Sequence, residues 1–281
     1  MITRRTGYLE LSRDPESEQS AHLQREGYVA LPGVFDADEV AELIADVDRV
    51  FDEYAPDERT SHKPEGHWEP FRYEMFNRSA VVQRAIAHRA VLDVIEPLLG
   101  EDCHVIANTA WRQPGGTSTH GGQVWHIDSG PHVPRPADVP WDERIPYPVF
   151  AIATHLMLQD CPIDAGPTGV IPRSHTSGQH PPLDRTADPD LEWNGTPVTP
   201  LIASAGDVLL FVSDVWHRRL PPTDADPGRY FVQCHYGRRD IAQRLRPTSA
   251  VNQVSPEAME RANAKRDRTL IGLHDPFFYD G

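Results

Sequence analysis

Gly206-Asp207-Val208-Leu209-Leu210-Phe211-Val212-Ser213-Asp214-Val215-Trp216-His217 is the stretch whose reading decides the fold. A Gly-Asp turn leads into five consecutive apolar residues, which read as a short strand buried on both faces. His217 falls just past the end of that strand, and Arg229 opens the next β-type run, Arg229 to Tyr236. Working outward from here, His104 to Trp111, Gln123 to Asp128, Val149 to Leu158 and Val198 to Ile202 have the same character. The 27 prolines and 19 glycines punctuate the chain, mostly after Pro114, as a loop-rich β protein requires. Six short strands following helices predict a mainly β protein, a sandwich or barrel with helices packed outside.

The first hundred residues differ. Asp36-Ala37-Asp38-Glu39 is a capping-box pattern. Behind it Val40, Leu43, Ile44, Val47, Val50 and Phe51 recur at helical spacing, so residues 37–54 are expected to be an amphipathic helix. A second helix is expected from Ser79 to Leu99, stopped by Gly100, and a last one from Pro256 to Arg268 before the aromatic tail Phe277-Phe278-Tyr279. No boundary between independent domains is visible. The expectation is one domain over 1–281, with a helical part at about 20–100, a β core at about 104–240 and a C-terminal helix and tail at 255–281.

At 281 residues the chain is long enough to build a core without disulfides or structural metal. Lys+Arg is 27 and Asp+Glu is 42, a formal net charge of −15, which repels nucleic acid and acidic membrane surfaces and attracts a cationic small molecule. Cys103, Cys161 and Cys234 are widely spaced and form no Cys-x-x-Cys pair, so neither a disulfide framework nor a zinc site is expected. The first 18 residues lack the apolar run of a signal peptide, and no stretch has the length of a membrane span, which reads as cytoplasmic. The partner expected is a small molecule, with no nucleic acid and no membrane. The sequence specifies no oligomeric state.

Fourteen histidines are too many for all to be functional. In Trp125-His126-Ile127-Asp128, positions i and i+2 of an extended segment point to one side, so His126 and Asp128 can present an imidazole and a carboxylate to one point. That is two-thirds of a 2-His-1-carboxylate facial triad, which holds Fe(II) and leaves positions open for ligands and O2. His217 is placed to be the third ligand. Each feature alone has a plainer reading: a solvated polar pair for His-x-Asp, a core histidine for His217, a surface ion pair for Arg229.

Between them lies Asp164-Ala165-Gly166-Pro167-Thr168-Gly169-Val170-Ile171-Pro172-Arg173-Ser174-His175. This stretch resembles the Asn-Gly-Pro-x-x-Val-Ile-Pro-Gly-Ser-His signature of the phytanoyl-CoA dioxygenase-like family of Fe(II)/2-oxoglutarate-dependent oxygenases. His-x-Asp upstream and His217 followed twelve residues later by Arg229 complete the pattern, over roughly residues 20 to 240. The resemblance implies a double-stranded β-helix (jelly-roll, cupin-like) with flanking α-helices, and Fe(II), 2-oxoglutarate and O2 as cofactor and cosubstrates.

It further implies that His126, Asp128 and His217 are the catalytic iron ligands and that Arg229 binds the distal carboxylate of 2-oxoglutarate, with Thr168 and Gln123 supporting the cosubstrate. Arg218, Arg219 and Arg238 stand as substitutes for Arg229. Two positions depart from the pattern. Ile127 replaces a glutamine usual in the phytanoyl-CoA enzymes, which argues against a fatty acyl-CoA substrate, and Arg173 stands where glycine is usual. Asp128 itself argues for oxygen chemistry, since related halogenases carry a small residue there.

If Arg229 faces the cosubstrate, alternation puts Phe231, Gln233 and His235 beside it. Asn108, Trp125, His155 and Trp216 are further pocket candidates, and Glu58 to Tyr73 is a candidate lid. The reaction implied is oxidation of a C–H bond by hydroxylation, desaturation or ring closure. Its expected setting is bacterial secondary-metabolite or antibiotic biosynthesis, with a sugar or aminocyclitol as substrate, because the family includes orthoester-forming enzymes. The alternatives are a cupin-like metal enzyme without 2-oxoglutarate and a non-catalytic binder on the same fold.

Overall fold

The computed structural model describes residues 17–56, 69–116, 123–245 and 254–275, together with the backbone of a short pair, β1 (Arg4–Arg5) and β2 (Tyr8–Leu9). Most of the candidate lid and the aromatic tail lie outside these residues.

Helix α1 (Glu18–Glu26) leads to β3 (Tyr28–Leu31), α2 (Ala37–Glu53), β4 (Phe71–Tyr73), α3 (Met75–Arg78), α4 (Ala80–Ala85) and α5 (Arg89–Leu99). The strands β5 (His104–Pro114), β6 (Ala151–Met157), β7 (Thr168–Val170), β8 (Thr199–Pro200), β9 (Val208–Val212), β10 (His217–Arg219) and β11 (Gly228–Gly237) follow, then α6 (Pro256–Arg261) and α7 (Lys265–Leu270). The large sheet has the order β3-β9-β6-β11-β5-β4 and the small one β10-β7-β8, with every neighbouring pair antiparallel. This is the mainly antiparallel, helix-flanked jelly-roll architecture that the sequence suggested.

Local chemistry explains the well-read elements. Asp36 accepts from the backbone of Asp38 and Glu39 while Glu39 accepts from Asp36 N, so the capping box forms and α2 begins where expected. Gly206 (φ 91°) has no room for a side chain, because a Cβ there would sit 2.2 Å from Phe35 O. The adjoining Asp207 fastens the turn by accepting from Gly33 N and Ser204 N, both at 2.8 Å.

Alternation then sorts the buried side chains. Val208, Leu210 and Val212 of β9, Ile152 and Leu156 of β6, and Val232, Cys234 and Tyr236 of β11 pack in the cluster shared with the helices. Leu209, Phe211, Ala153, Met157 and Phe231 face the small sheet instead. Three expectations fail in detail. The helix expected at 79–99 is interrupted, because Ser79 and His88 each cap the start of a separate helix, α4 and α5. The helix at 256–268 divides into α6 and α7. Gln123–Asp128 is not a strand: it meets β10 only at Gln123 and His126, four residues set against the three from His217 to Arg219, so one extra residue bulges out of the pairing.

Candidate metal centre

His126 and His217 form an isolated antiparallel bridge at the mouth of the fold. Each imidazole donates Nδ1–H to the backbone carbonyl two residues before it: His126 to Val124 O (2.8 Å) and His217 to Val215 O (2.9 Å). A carbonyl oxygen only accepts, so Nδ1 carries the proton and Nε2 presents its lone pair. Both Nε2 atoms turn to one carboxylate, with Asp128 Oδ1 at 4.0 Å from His126 and 3.5 Å from His217. The three ligand atoms lie within 4.8 Å of one another, the one such convergence of His, Cys, Asp and Glu among the described residues. Two imidazole nitrogens and a carboxylate oxygen fit Fe(II).

The electrostatics tie the carboxylate to its neighbours. Burial alone would raise the Asp128 carboxyl and lower His217, but the two attract each other strongly enough to reverse both shifts. With help from His235, Asp128 is held well below the usual carboxylate range and His217 is raised, so a metal ion takes the place of a proton shared at this spot. Burial, and then the neighbouring His217, lowers His126, which favours the neutral ligand form. The main chain at Asp128 is fastened too, since Asp128 N donates to Ser213 O at 3.1 Å.

A cavity of about 610 Å3 opens over this centre and is lined from both sheets. Arg229 stands in it, 3% exposed, with Nη2 donating to Thr168 Oγ1 at 3.2 Å. Its Nε–H is buried and lacks a hydrogen-bond partner among the described residues. Burial pushes the guanidinium down to about 10, so it remains charged at neutral pH. A buried cation with an unmatched donor fits a carboxylate ligand such as the distal end of 2-oxoglutarate. Gln123 also lines the cavity, and its Oε1 accepts from Arg219 N at 3.2 Å.

Of the pocket candidates, His155, Gln233 and His235 line the cavity. Phe231 lies one layer behind, under the Arg229 guanidinium (4.8 Å) and against the His155 ring (4.4 Å). Asn108, Trp125 and Trp216, expected in the pocket, are not among its lining residues. Asn108 pairs with Cys234 and so faces the helices, where its Oδ1 accepts from Phe76 N. Trp125 and Trp216 are sequence neighbours of the two histidines, so alternation turns them away into a cluster with Ile171 and Leu191.

His132 was not singled out by the sequence, because it sits in a Pro- and Gly-rich loop without periodicity. It lines the cavity and is held by Asp214, which accepts from His132 N (3.1 Å), His132 Nδ1 (2.5 Å) and Tyr147 OH (2.7 Å). The signature loop has a structural task. Arg173 N donates to Glu26 O, His175 Nε2 to Gln24 O, and Ser174 Oγ accepts from Trp216 N, which ties α1 to the strand carrying His217.

The phytanoyl-CoA dioxygenase (PhyH) family matches residues 23–221, and the chain belongs to that family. With the donor set above, this makes it an iron- and 2-oxoglutarate-dependent oxygenase by class. No curated protein matches it in sequence. In fold it is similar to EctD from S. alaskensis, at 22% identity over 90% of this chain and 89% of that one, with a TM-score of 0.63. It is similar to HygX from Streptomyces hygroscopicus with nickel, 2-oxoglutarate and hygromycin B bound, at 16% identity over 80% and 88%, TM-score 0.60. It is also similar to the epimerase SnoN from nogalamycin biosynthesis, at 19% identity over 79% and 81%, TM-score 0.57. Among the described residues no helix is long and apolar enough to cross a membrane.

Proposed function

We propose that this enzyme oxidises a C–H bond of a small molecule, with Fe(II) held by His126, Asp128 and His217 and with 2-oxoglutarate anchored by Arg229 and Thr168. The observation that carries the reading is the convergence of two imidazole Nε2 atoms and one carboxylate, with each imidazole held at Nδ1 by a backbone carbonyl and the Asp128 main chain held by Ser213. When bound, iron and 2-oxoglutarate supply an oxidative decarboxylation to succinate and CO2 and the oxidant that removes hydrogen from the substrate. The chain supplies position and dryness. Arg229 orients the cosubstrate from the closed end, Phe211 and Phe231 exclude water there, and Gln233, His235 and His132 offer polar contacts on the remaining walls.

We place the reaction in secondary-metabolite biosynthesis, with a ring-bearing substrate of the sugar or aminocyclitol kind. The structures with hygromycin B and from nogalamycin biosynthesis support that setting by similarity. The acidity of the whole chain does not extend to the cavity. Its described lining holds Arg218, Arg219, Arg229 and Arg244 against Asp128 alone, so long-range attraction of a polycation is not part of this reading. The test is succinate release from 2-oxoglutarate with Fe(II), ascorbate and air. Release that stops in Asp128→Ala is expected. No release from the wild-type protein points to a metal enzyme of another kind or to a binder.

A further inference from the structure

Arg219 and Arg229 bring two guanidiniums to the same end of the cavity from different sheets. Both line it and both are buried, at 4% and 3% exposed. Thr168 joins them on one side: it is the register partner of Arg219 on β7, and its Oγ1 accepts from Arg229 Nη2. Gln113 joins them on the other: it is the register partner of Arg229 on β5, and its Oε1 accepts from Arg219 Nη1 at 2.5 Å. Arg219 Nη2 donates to Ala165 O at 3.2 Å. Each guanidinium keeps a buried Nε–H with no hydrogen-bond partner among the described residues.

The charges are unbalanced. Among the described residues neither arginine has a carboxylate oxygen within 4.0 Å. Cys161 and Asp226 are the buried acidic groups that reach both. Burial raises the Cys161 thiol, so it meets Arg229 as a neutral hydrogen-bond partner, while Asp226 Oδ1 accepts from Gly228 N and its Oδ2 has no partner among the described residues, so Asp226 bonds to neither. Two buried like charges held side by side repel in a low-dielectric setting, and an anion between them removes that repulsion and satisfies the idle donors. A carboxylate has two oxygens and about four lone-pair sites, enough for both forks.

We propose that Arg219 and Arg229 together bracket the distal carboxylate of 2-oxoglutarate, which makes Arg219 a second cosubstrate-binding residue. This rests on the function proposed above. It explains why a guanidinium is buried at a position where Gln113 and Ala165 alone would satisfy only part of it. The contribution of Arg219 is then confined to ligands that carry the distal carboxylate, and a monoacid of the same length binds more weakly and without its help.

The experiment is calorimetric titration of the Zn(II)-loaded protein with 2-oxoglutarate and with 2-oxopentanoate, for wild type, Arg219→Met and Arg219→Gln. Arg219→Met is expected to weaken 2-oxoglutarate binding about 30-fold or more and to change 2-oxopentanoate binding less than about twofold. The thermal midpoint without ligand is expected to stay level or rise in Arg219→Met, because a repulsion has been removed; a purely structural arginine would lower it. Arg219→Gln, which retains neutral donors, is expected to keep the fold and lose 2-oxoglutarate affinity to a similar degree. Undiminished 2-oxoglutarate affinity in both variants, or equal loss for the two ligands, would overturn the role of Arg219 alone. Failure of the wild-type protein to bind 2-oxoglutarate would overturn the cosubstrate reading itself, and this inference with it.

Discussion

His126 and His217 exchange both backbone hydrogen bonds across the bridge, His126 N to His217 O and His217 N to His126 O, each 3.0 Å long. One reciprocal pair thus fixes the relative position of two residues 91 apart in sequence and sets their rings 4.3 Å apart. The bridge uses only main-chain atoms, so it survives replacement of either side chain.

The first prediction follows from that. His126→Ala and His217→Ala should lose tight divalent-metal binding and all 2-oxoglutarate turnover, while unfolding free energy falls by no more than about 2 kcal/mol. Metal content by mass spectrometry and urea unfolding of the metal-free proteins check the two halves. A variant that keeps wild-type metal affinity would remove its residue from the ligand set.

Asp214 collects three donors in the interior, and removing its charge leaves His132 and Tyr147 poorly matched. Asp214→Asn should cost about 2 kcal/mol of stability, and Tyr147→Phe less. The double variant should show a non-additive loss, because both changes act on one network. Additivity in urea unfolding would show that the two contacts are independent.

Arg173 occupies the left-handed region at φ 68°, where a side chain is strained, and it stands where the family signature has glycine. Its one ion pair, with Glu143, joins two exposed side chains and adds little. Arg173→Gly should therefore stabilise the protein by about 1 kcal/mol. A drop in the thermal midpoint would show that the Glu143 contact outweighs the backbone strain.

Burial pushes the His175 imidazole down to about 4, and its Nδ1 is buried with no hydrogen-bond partner among the described residues. The unfolded chain takes up this proton near the ordinary value of about 6.5, and the folded protein only near 4. Between those values the unfolded state holds more protons, so stability falls as pH falls, by about 1.4 kcal/mol per unit from this group. His104 and His155, also lowered by burial, add to the slope. His175→Gln should thus lose about 2 kcal/mol less than wild type between pH 7 and pH 5 in urea unfolding. Equal losses would contradict the assignment.

What the sequence made legible was chemistry carried by local pattern. The Asp36–Glu39 box, the Gly206-Asp207 turn and the apolar run of β9 each specify their structure within a few residues, and they appear where expected. The His-x-Asp, Gly-Pro-Thr-Gly and His-to-Arg spacings brought together residues that do meet at one cavity. Trp125 and Trp216 failed for a reason available in the sequence, since a residue next to an inward-facing histidine must point outward. Asn108 failed for one that was not, because only the register of β5 against β11 shows which face it takes. His132 and the pairing of Arg219 with Arg229 depend on contacts between distant segments, which no local spacing encodes.

One titration tests the metal centre most directly: 2-oxoglutarate into the protein with and without a bound divalent metal, repeated for Asp128→Ala. One equivalent is expected to bind when metal is present, with affinity falling at least tenfold after chelation and likewise in Asp128→Ala. Binding that is equally tight without metal, or untouched by the loss of Asp128, would contradict a centre built from His126, Asp128 and His217.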